Sequence, residues 1–328
     1  MRFSRIGAFA LLSIVVLMGA NCSYYNRVMS RKDLVDGSNA YKNRKFGEAE
    51  QLFRNAVKRD PNGETHEGKM AQLFLARTLH SQFIGDRKRT ALAEEAIREY
   101  QKALALNAND QSSYKAIASL YENLQKNDLW LEWVTRRSQN QSIPPEQRAE
   151  ALTSLASKQN SCANDISDTE QTKKTITGAG GKKEFQFVKP AKPEDFETLK
   201  KCVAEGLQLA NQAVGLETPD VKNARSFDIK GSTDAQLKAK QDFLKVFESA
   251  RSYKASLTIQ EMRVAEMDGR TADRDRLKTE SDAARASFLE LTDVVKKIQA
   301  ELDEREAARV AEATRQQPAN GVNANANK

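Results

Sequence analysis

Small and aromatic residues recur along this chain at three- and four-residue steps, the spacing that places side chains on one face of an α-helix. Ala49, Phe53 and Ala56 form one such triplet, and Ala96, Tyr100 and Ala103 repeat it. Leu75, Ala76 and Leu79, then Tyr114, Ile117, Ala118 and Tyr121, mark further helices between and after them. Trp130 breaks the repeat by standing where a small residue would otherwise fall. Leu152, Leu155 and Ala156 mark one helix of a later pair, and Gly206, Ala210 and Ala213, ahead of Pro219, mark the other. Between these two lies Thr175 to Pro193. There Gly178-Ala179-Gly180-Gly181 and the alternation Phe185-Gln186-Phe187-Val188 read as a loop with room for one short hairpin.

Downstream, Asp234 to Met267 and Ala272 to Ala311 read as two long helices broken at Asp268-Gly269-Arg270-Thr271. Leu277, Ala284, Leu291 and Ile298 recur every seven residues, interleaved with Ser281, Phe288, Val295 and Leu302, which makes a coiled-coil-like seam. This seam packs either on Phe243, Phe247, Ala250, Tyr253 and Leu257 of the same chain or on a second copy, giving a homodimer through the C-terminal hairpin. Residues from 313 to 328 are Asn- and Ala-rich and poor in large apolar side chains, and are expected to be a disordered tail.

The stretch Lys45-Phe46-Gly47-Glu48-Ala49-Glu50-Gln51-Leu52-Phe53-Arg54-Asn55-Ala56-Val57-Lys58-Arg59-Asp60-Pro61 resembles the second helix and exit turn of a tetratricopeptide repeat (TPR). Gly37 stands at the small position of the preceding helix, whereas Asp33 stands where the family has an aromatic. The resemblance extends from Arg31 to Pro219 and is densest in the first two copies. It implies an all-α, TPR-like helical repeat array (α-solenoid) over 31–219, with an insertion at 166–193 and the long antiparallel helical hairpin over 220–312 following it. The family's shared activity is polypeptide recognition, with first helices of successive repeats lining a concave groove. Carried onto this chain, the groove residues are Arg31, Leu34, Ser38, Tyr41 and Lys42, then Met70, Leu73, Arg77, His80 and Ser81, then Lys115, Ser119 and Glu122. Arg31, Lys42, Arg77 and Lys115 would make such a groove basic and suit an acidic or C-terminal-carboxylate ligand.

The N-terminus changes where this array is expected to work. Arg2 and Arg5 precede an apolar run from Ile6 to Met18, too short for a membrane span and of the right length for a signal sequence over 1–21. Its end, Leu17-Met18-Gly19-Ala20-Asn21-Cys22, resembles the lipobox of bacterial lipoproteins. That resemblance implies lipidation of Cys22, a lipidated N-terminal linker over 22–30, and a periplasm-facing location in the cell envelope. Ser23 after the cysteine goes with sorting to the outer membrane. An uncleaved anchor and plain secretion are the alternatives, and each also puts the body outside the cytoplasm.

With Cys22 carrying lipid, Cys162 and Cys202 remain of the three cysteines. In an oxidising compartment an even remainder reads as a disulfide, with two separate buried thiols as the alternative. If Ala156 and Gly206 lie at the crossing of an antiparallel pair, Cys162 is six residues onward, about 9 Å, and Cys202 four residues back, about 6 Å. Both displacements then point the same way.

Composition agrees with helices: 39% hydrophobic and 30% charged residues, with 7 prolines and 15 glycines among 328 residues. The net charge of +7 raises nucleic acid as a ligand. Lys and Arg are scattered without aromatic interleaving, however, and export removes the opportunity, so no nucleic acid is expected. His66 and His80 are the only histidines, and neither belongs to a Cys/Asp/Glu cluster with zinc spacing. Gly181-Lys182 lacks the glycine four residues upstream and the Ser/Thr downstream of a Walker A loop, and no serine sits in a Gly-x-Ser-x-Gly elbow. The expectation is a protein-binding scaffold or assembly factor without catalysis, metal or cofactor, whose protein partner the sequence does not identify. The alternatives are an envelope-stabilising protein contacting peptidoglycan or lipid, and an enzyme with an unrecognised site.

Overall fold

A computed structural model describes residues 24–178 and 181–316. The fold is all-α apart from one two-stranded hairpin, a TPR-like array of helical pairs followed by a long antiparallel helical hairpin. The chain divides into two compact units, Met1–Trp133 and Val134–Lys328. The expected signal sequence, Cys22 and residues 317–328 lie outside the described residues, and residues 313–316, expected to begin the disordered tail, instead complete the last helix.

In the first unit, α1 (24–42), α2 (Phe46–Arg59), α3 (His66–Gly85), α4 (Thr90–Leu106) and α5 (Gln111–Asn123) follow one another through tight turns. The triplet Ala49, Phe53 and Ala56 of α2 is fully buried, and Ala96, Tyr100 and Ala103 of α4 are buried. Small side chains let α1 and α2 approach closely. A Cβ added at Gly37 of α1 would lie 2.7 Å from Cε1 of Phe53. Asp33, at the position where the repeat family has an aromatic, is buried and accepts from Nε of Arg59 at 2.9 Å, so an ion pair replaces an aromatic contact between α1 and α2. The stretch 22–30, expected as a linker, is helical from residue 24 onward, and Ser30 is buried with its hydroxyl donating to the Ala56 carbonyl at 3.3 Å.

The turns are fixed by aspartates. Asp60 accepts from the Glu64 and Thr65 N–H groups at 2.9 Å and from the Thr65 hydroxyl at 2.6 Å. Thr65 in turn caps α3 by accepting from the Gly68 N–H. Asp110 caps α5 in the same manner, taking the Ser112 and Ser113 N–H groups and both their hydroxyls. Helix α6 (Asn127–Gln139) follows. Trp133 stacks on Tyr114 at 5.4 Å and donates its indole N–H to the Tyr114 carbonyl.

The second unit is built on α7 (Pro145–Ser167) and α8 (Pro193–Gly215), each with proline in its first turn. Sequence places them as a fourth pair of the array; in the structure they form a core with α10 (Asp234–Met267). Ala156 packs with Ala210 and Leu257, Gly206 faces Gln159 and Leu257, and Cys162 meets Cys202. The antiparallel register therefore steps three residues along α7 for every four back along α8. Gly206 lies opposite Gln159, less than one turn from the crossing with Ala156 that the sequence suggested. Between α7 and α8, β1 (Lys173–Thr177) and β2 (Lys183–Phe187) pair antiparallel, Thr175 opposite Phe185.

Short α9 (Pro219–Lys222) and a 3₁₀ turn lead to α10, and α11 (Thr271–Gln316) returns along it after a turn in which Gly269 has φ +72°. That left-handed conformation is the one glycine adopts without strain. Leu277, Leu291, Ile298 and Leu302 of the seven-residue seam are buried, the last three in a core with Leu237, Leu244 and Phe247 of α10. Tyr253 and Leu257, expected to meet this seam, face α7 and α8 instead, Tyr253 accepting from the Ser157 hydroxyl at 2.8 Å. Helix α10 is buried on two sides. Arg251 ties three segments together, pairing through Nε and Nη2 with both carboxylate oxygens of Glu217 (2.6 and 2.9 Å) while Nη1 donates to the Ser287 carbonyl.

Candidate functional site

The groove residues expected from the repeat resemblance fall on α1, α3 and α5 of the first unit. Their centre is aromatic. Tyr41 meets Phe46 and Phe74 edge-on at 5.4 and 6.3 Å, and Phe74 stacks on Phe53 at 5.5 Å. Phe74, Arg77 and Ser81 share one face of α3 because they are three and four residues apart. The Arg77 guanidinium therefore lies over the Phe74 ring, 5.3 Å from its centre, and Nη2 donates to the Ser112 hydroxyl at 2.9 Å. Ser112 is itself anchored by Asp110, so Arg77 is held from two directions. Across α1 and α3, the hydroxyls of Tyr41 and Ser81 are 2.9 Å apart.

His80 points to α4, its Nδ1 3.4 Å from the Tyr100 hydroxyl with the rings edge to face. Burial, reinforced by the Arg87 charge, pushes the imidazole below its usual range, so it is neutral at pH 7. Burial pushes the Tyr100 phenol up. This pair is part of the packing between α3 and α4. Ser38 donates to the Leu34 carbonyl at 2.7 Å within α1, and Ser119 accepts from the Asn123 amide through its carbonyl at 2.9 Å. Leu34, Met70 and Leu73 are half-buried, whereas Arg31, Lys42, Lys115 and Glu122 are exposed. The structure thus joins Tyr41 to Ser81, Arg77 to Ser112 and His80 to Tyr100, and leaves Arg31 and Lys42 on the surface.

Three contributors went unnoticed in the sequence: Phe46, Phe74 and Ser112. Phe74 lies three residues before Arg77, a spacing that could have flagged the cation–ring pair. Ser112 carried no such signal, because its contact is made 35 residues away in sequence.

A second concavity of about 650 Å³ lies between α2 and α4, lined by Glu50, Arg54, Lys58, Leu75, Glu99 and Lys102. Most of its charged groups satisfy one another. Arg54 bridges Glu50 and Glu95 at 2.8 and 2.5 Å, Lys102 pairs with Glu99 at 2.8 Å, and the Gln72 amide donates to Glu99 at 2.7 Å. Among the described residues, no three His, Cys, Asp or Glu side chains converge as metal ligands.

In the second unit, Cys162 and Cys202 are joined, with their Cα atoms 6.2 Å apart. The bond encloses the hairpin. Phe187 at its base is buried with Phe196, Leu199, Val203, Val264 and Met267, and the Arg263 guanidinium lies 4.4 Å from the Phe187 ring.

No family model matches the chain, and no curated protein matches it. One solved structure, described as "Functional Characterization of Pseudomonas Aeruginosa pilF", is 13% identical, with 84% of this chain and 99% of that chain covered and a TM-score of 0.30.

Proposed function

We propose that this chain is a non-catalytic protein-binding scaffold or assembly factor of the bacterial cell envelope, held by lipid on Cys22 at the outer membrane and facing the periplasm. The observation that carries the reading is the row on α1, α3 and α5, in which Tyr41 with Ser81 and Phe74 with Arg77 and Ser112 form a rigid aromatic base. Rigid aromatic and Arg side chains of this kind lose little conformational entropy when a ligand docks on them. Arg31 and Lys42 are exposed on α1 and Lys115 on α5, which favours an extended acidic segment or a C-terminal carboxylate as the ligand.

Arg77 supports the fold through Phe74 and Ser112, so a charge placed at Ser38, whose hydroxyl donates to the Leu34 carbonyl within α1, makes the cleaner test. Ser38→Glu should weaken capture of an acidic partner at unchanged helicity. A photo-crosslinking amino acid at Ser38 should give discrete protein adducts in intact cells, whereas one at Asn55 of α2 should not. Equal adducts at both positions, or none at Ser38, would reject the groove. Incorporation of radiolabelled palmitate into wild type but not Cys22→Ala checks the anchor.

A further inference from the structure

Helix α1 has two faces. Ser30, Asp33, Gly37 and Ala40 are buried against the rest of the first unit. On the opposite side Tyr24, Tyr25, Val28 and Val35 are 73%, 58%, 48% and 51% exposed. At 100° per residue, Tyr24, Val28 and Val35 fall within about 40° of one another and extend about 17 Å along the helix. Arg27 and Arg31 border this line on one side, and Tyr25 and Lys32, the latter paired with Asp36 at 2.9 Å, border it on the other. An apolar and tyrosine stripe edged by basic residues is the pattern of a helix that lies in a membrane interface.

We infer that this face of α1 is seated in the headgroup layer of the membrane that holds the protein, so that the first unit is docked on the bilayer with a fixed orientation rather than tethered above it. The inference rests on the proposed lipidation of Cys22. Tyr24 is two positions beyond Cys22, and an extended chain spans at most about 7 Å over that distance. The headgroup layer is itself about 5–8 Å thick on each side of the hydrocarbon core. With the acyl chains of Cys22 in the hydrocarbon, Tyr24 cannot leave the interface. Standing upright, α1 would leave Val28 and Val35 in water; lying down, it buries both and brings Arg27 and Arg31 to anionic headgroups. Arg31, at the border of the stripe, and Lys42, five helical turns from Tyr24 and in line with it, are drawn to the membrane side of α1, leaving Ser38 and Tyr41 to the ligand face.

The test uses the full lipidated chain in vesicles of phosphatidylglycerol and phosphatidylcholine, with Tyr24→Trp, Val35→Trp and, as a control on α2, Asn55→Trp. The native Trp130 and Trp133 are common to all three. Lipids brominated near the headgroup end of the acyl chains should quench the added emission of Tyr24→Trp and Val35→Trp several-fold more than that of Asn55→Trp. Palmitate incorporation is measured on the same preparations. Incorporation with quenching at Tyr24→Trp alone means an upright helix and overturns the inference while the anchor stands. Incorporation without quenching at either position, together with a dimer in detergent that Val28→Ser/Val35→Ser dissociates, assigns the face to a second copy and also overturns it. Absence of palmitate removes the anchor reading itself, and this inference with it.

Discussion

Replacing Cys162 and Cys202 by alanine removes a link between residues 40 positions apart. In the chain-entropy treatment a closed loop of that size costs the denatured chain about 13 cal/mol/K, or ~4 kcal/mol at 25 °C. Two features of the structure act on that figure. The sulfurs fill space beside Phe196, Leu199 and Val203, so alanine also leaves a small void and adds to the loss. Against this, the enclosed segment is also held by the end of α10: Phe187 is buried with Val264 and Met267, its N–H donates to Glu266, and Lys189 pairs with Asp268 at 2.8 Å. Residual order of this kind in the denatured chain reduces the entropic gain, and a net loss of about 2–4 kcal/mol follows. Urea unfolding followed by far-UV circular dichroism measures it. With an m-value of about 2 kcal/mol/M, the midpoint of the second unit moves down by roughly 1–2 M. Trp130 and Trp133 both lie in the first unit, so fluorescence reports that unit and identifies which transition belongs to the second. An unmoved midpoint in fully oxidised wild type against the double variant would refute the reasoning. Two free thiols in envelope-purified protein, by non-reducing mass spectrometry, would reject the bond itself.

Gly37→Ala places a methyl 2.7 Å from the Phe53 ring and should cost about 1–3 kcal/mol by overpacking, whereas Gly47→Ala meets nothing within 4 Å and should be neutral or slightly stabilising; calorimetric melting separates them. Arg251→Met leaves Glu217, 7% exposed, without its partner and should lose about 3–5 kcal/mol, and Glu217→Leu added to it should recover most of the loss in chemical denaturation. The first unit should weaken on acidification. Partial burial raises the Asp60 and Asp110 carboxyls, but hydrogen bonds, from Thr65 and from Ser112 and Ser113 respectively, outweigh it and hold both below the ordinary 3.8. A depressed carboxyl lends stability that is complete above its unfolded value and lost as pH falls through the folded one. Asp60→Asn/Asp110→Asn should therefore flatten the dependence of melting temperature on pH below about 4; an equally steep profile would exclude these two groups as its source.

What could be read from the sequence is what neighbours along the chain decide. The triplets of α2 and α4 announce their helices because a small residue, an aromatic and another small residue at helical spacing serve a single packing requirement. The turn at Gly269 and the seam from Leu277 to Leu302 are similarly local. The start of α1 escaped because its evidence is distant: Ser30 is buried by Ala56 and Asp33 by Arg59, each 26 residues away, while Tyr24 to Val28 alone carry no period that distinguishes helix from linker. The same holds for α10, whose residues Tyr253 and Leu257 belong to a second buried face that only α7 and α8 create.

The hairpin states the limit most sharply. Phe185 and Phe187 alternate on one face of β2, and by pattern alone they are equivalent. Phe187 is buried under Arg263 beside the disulfide, whereas Phe185 is 60% exposed, with the Lys173 ammonium 4.4 Å from its ring. The difference arises because α8 and α10 reach the base of the hairpin and stop short of its next rung. A period of two assigns a residue to a face; how far along that face the core extends is set by helices distant in sequence, which is why element types emerged from the sequence more readily than the residues that anchor them.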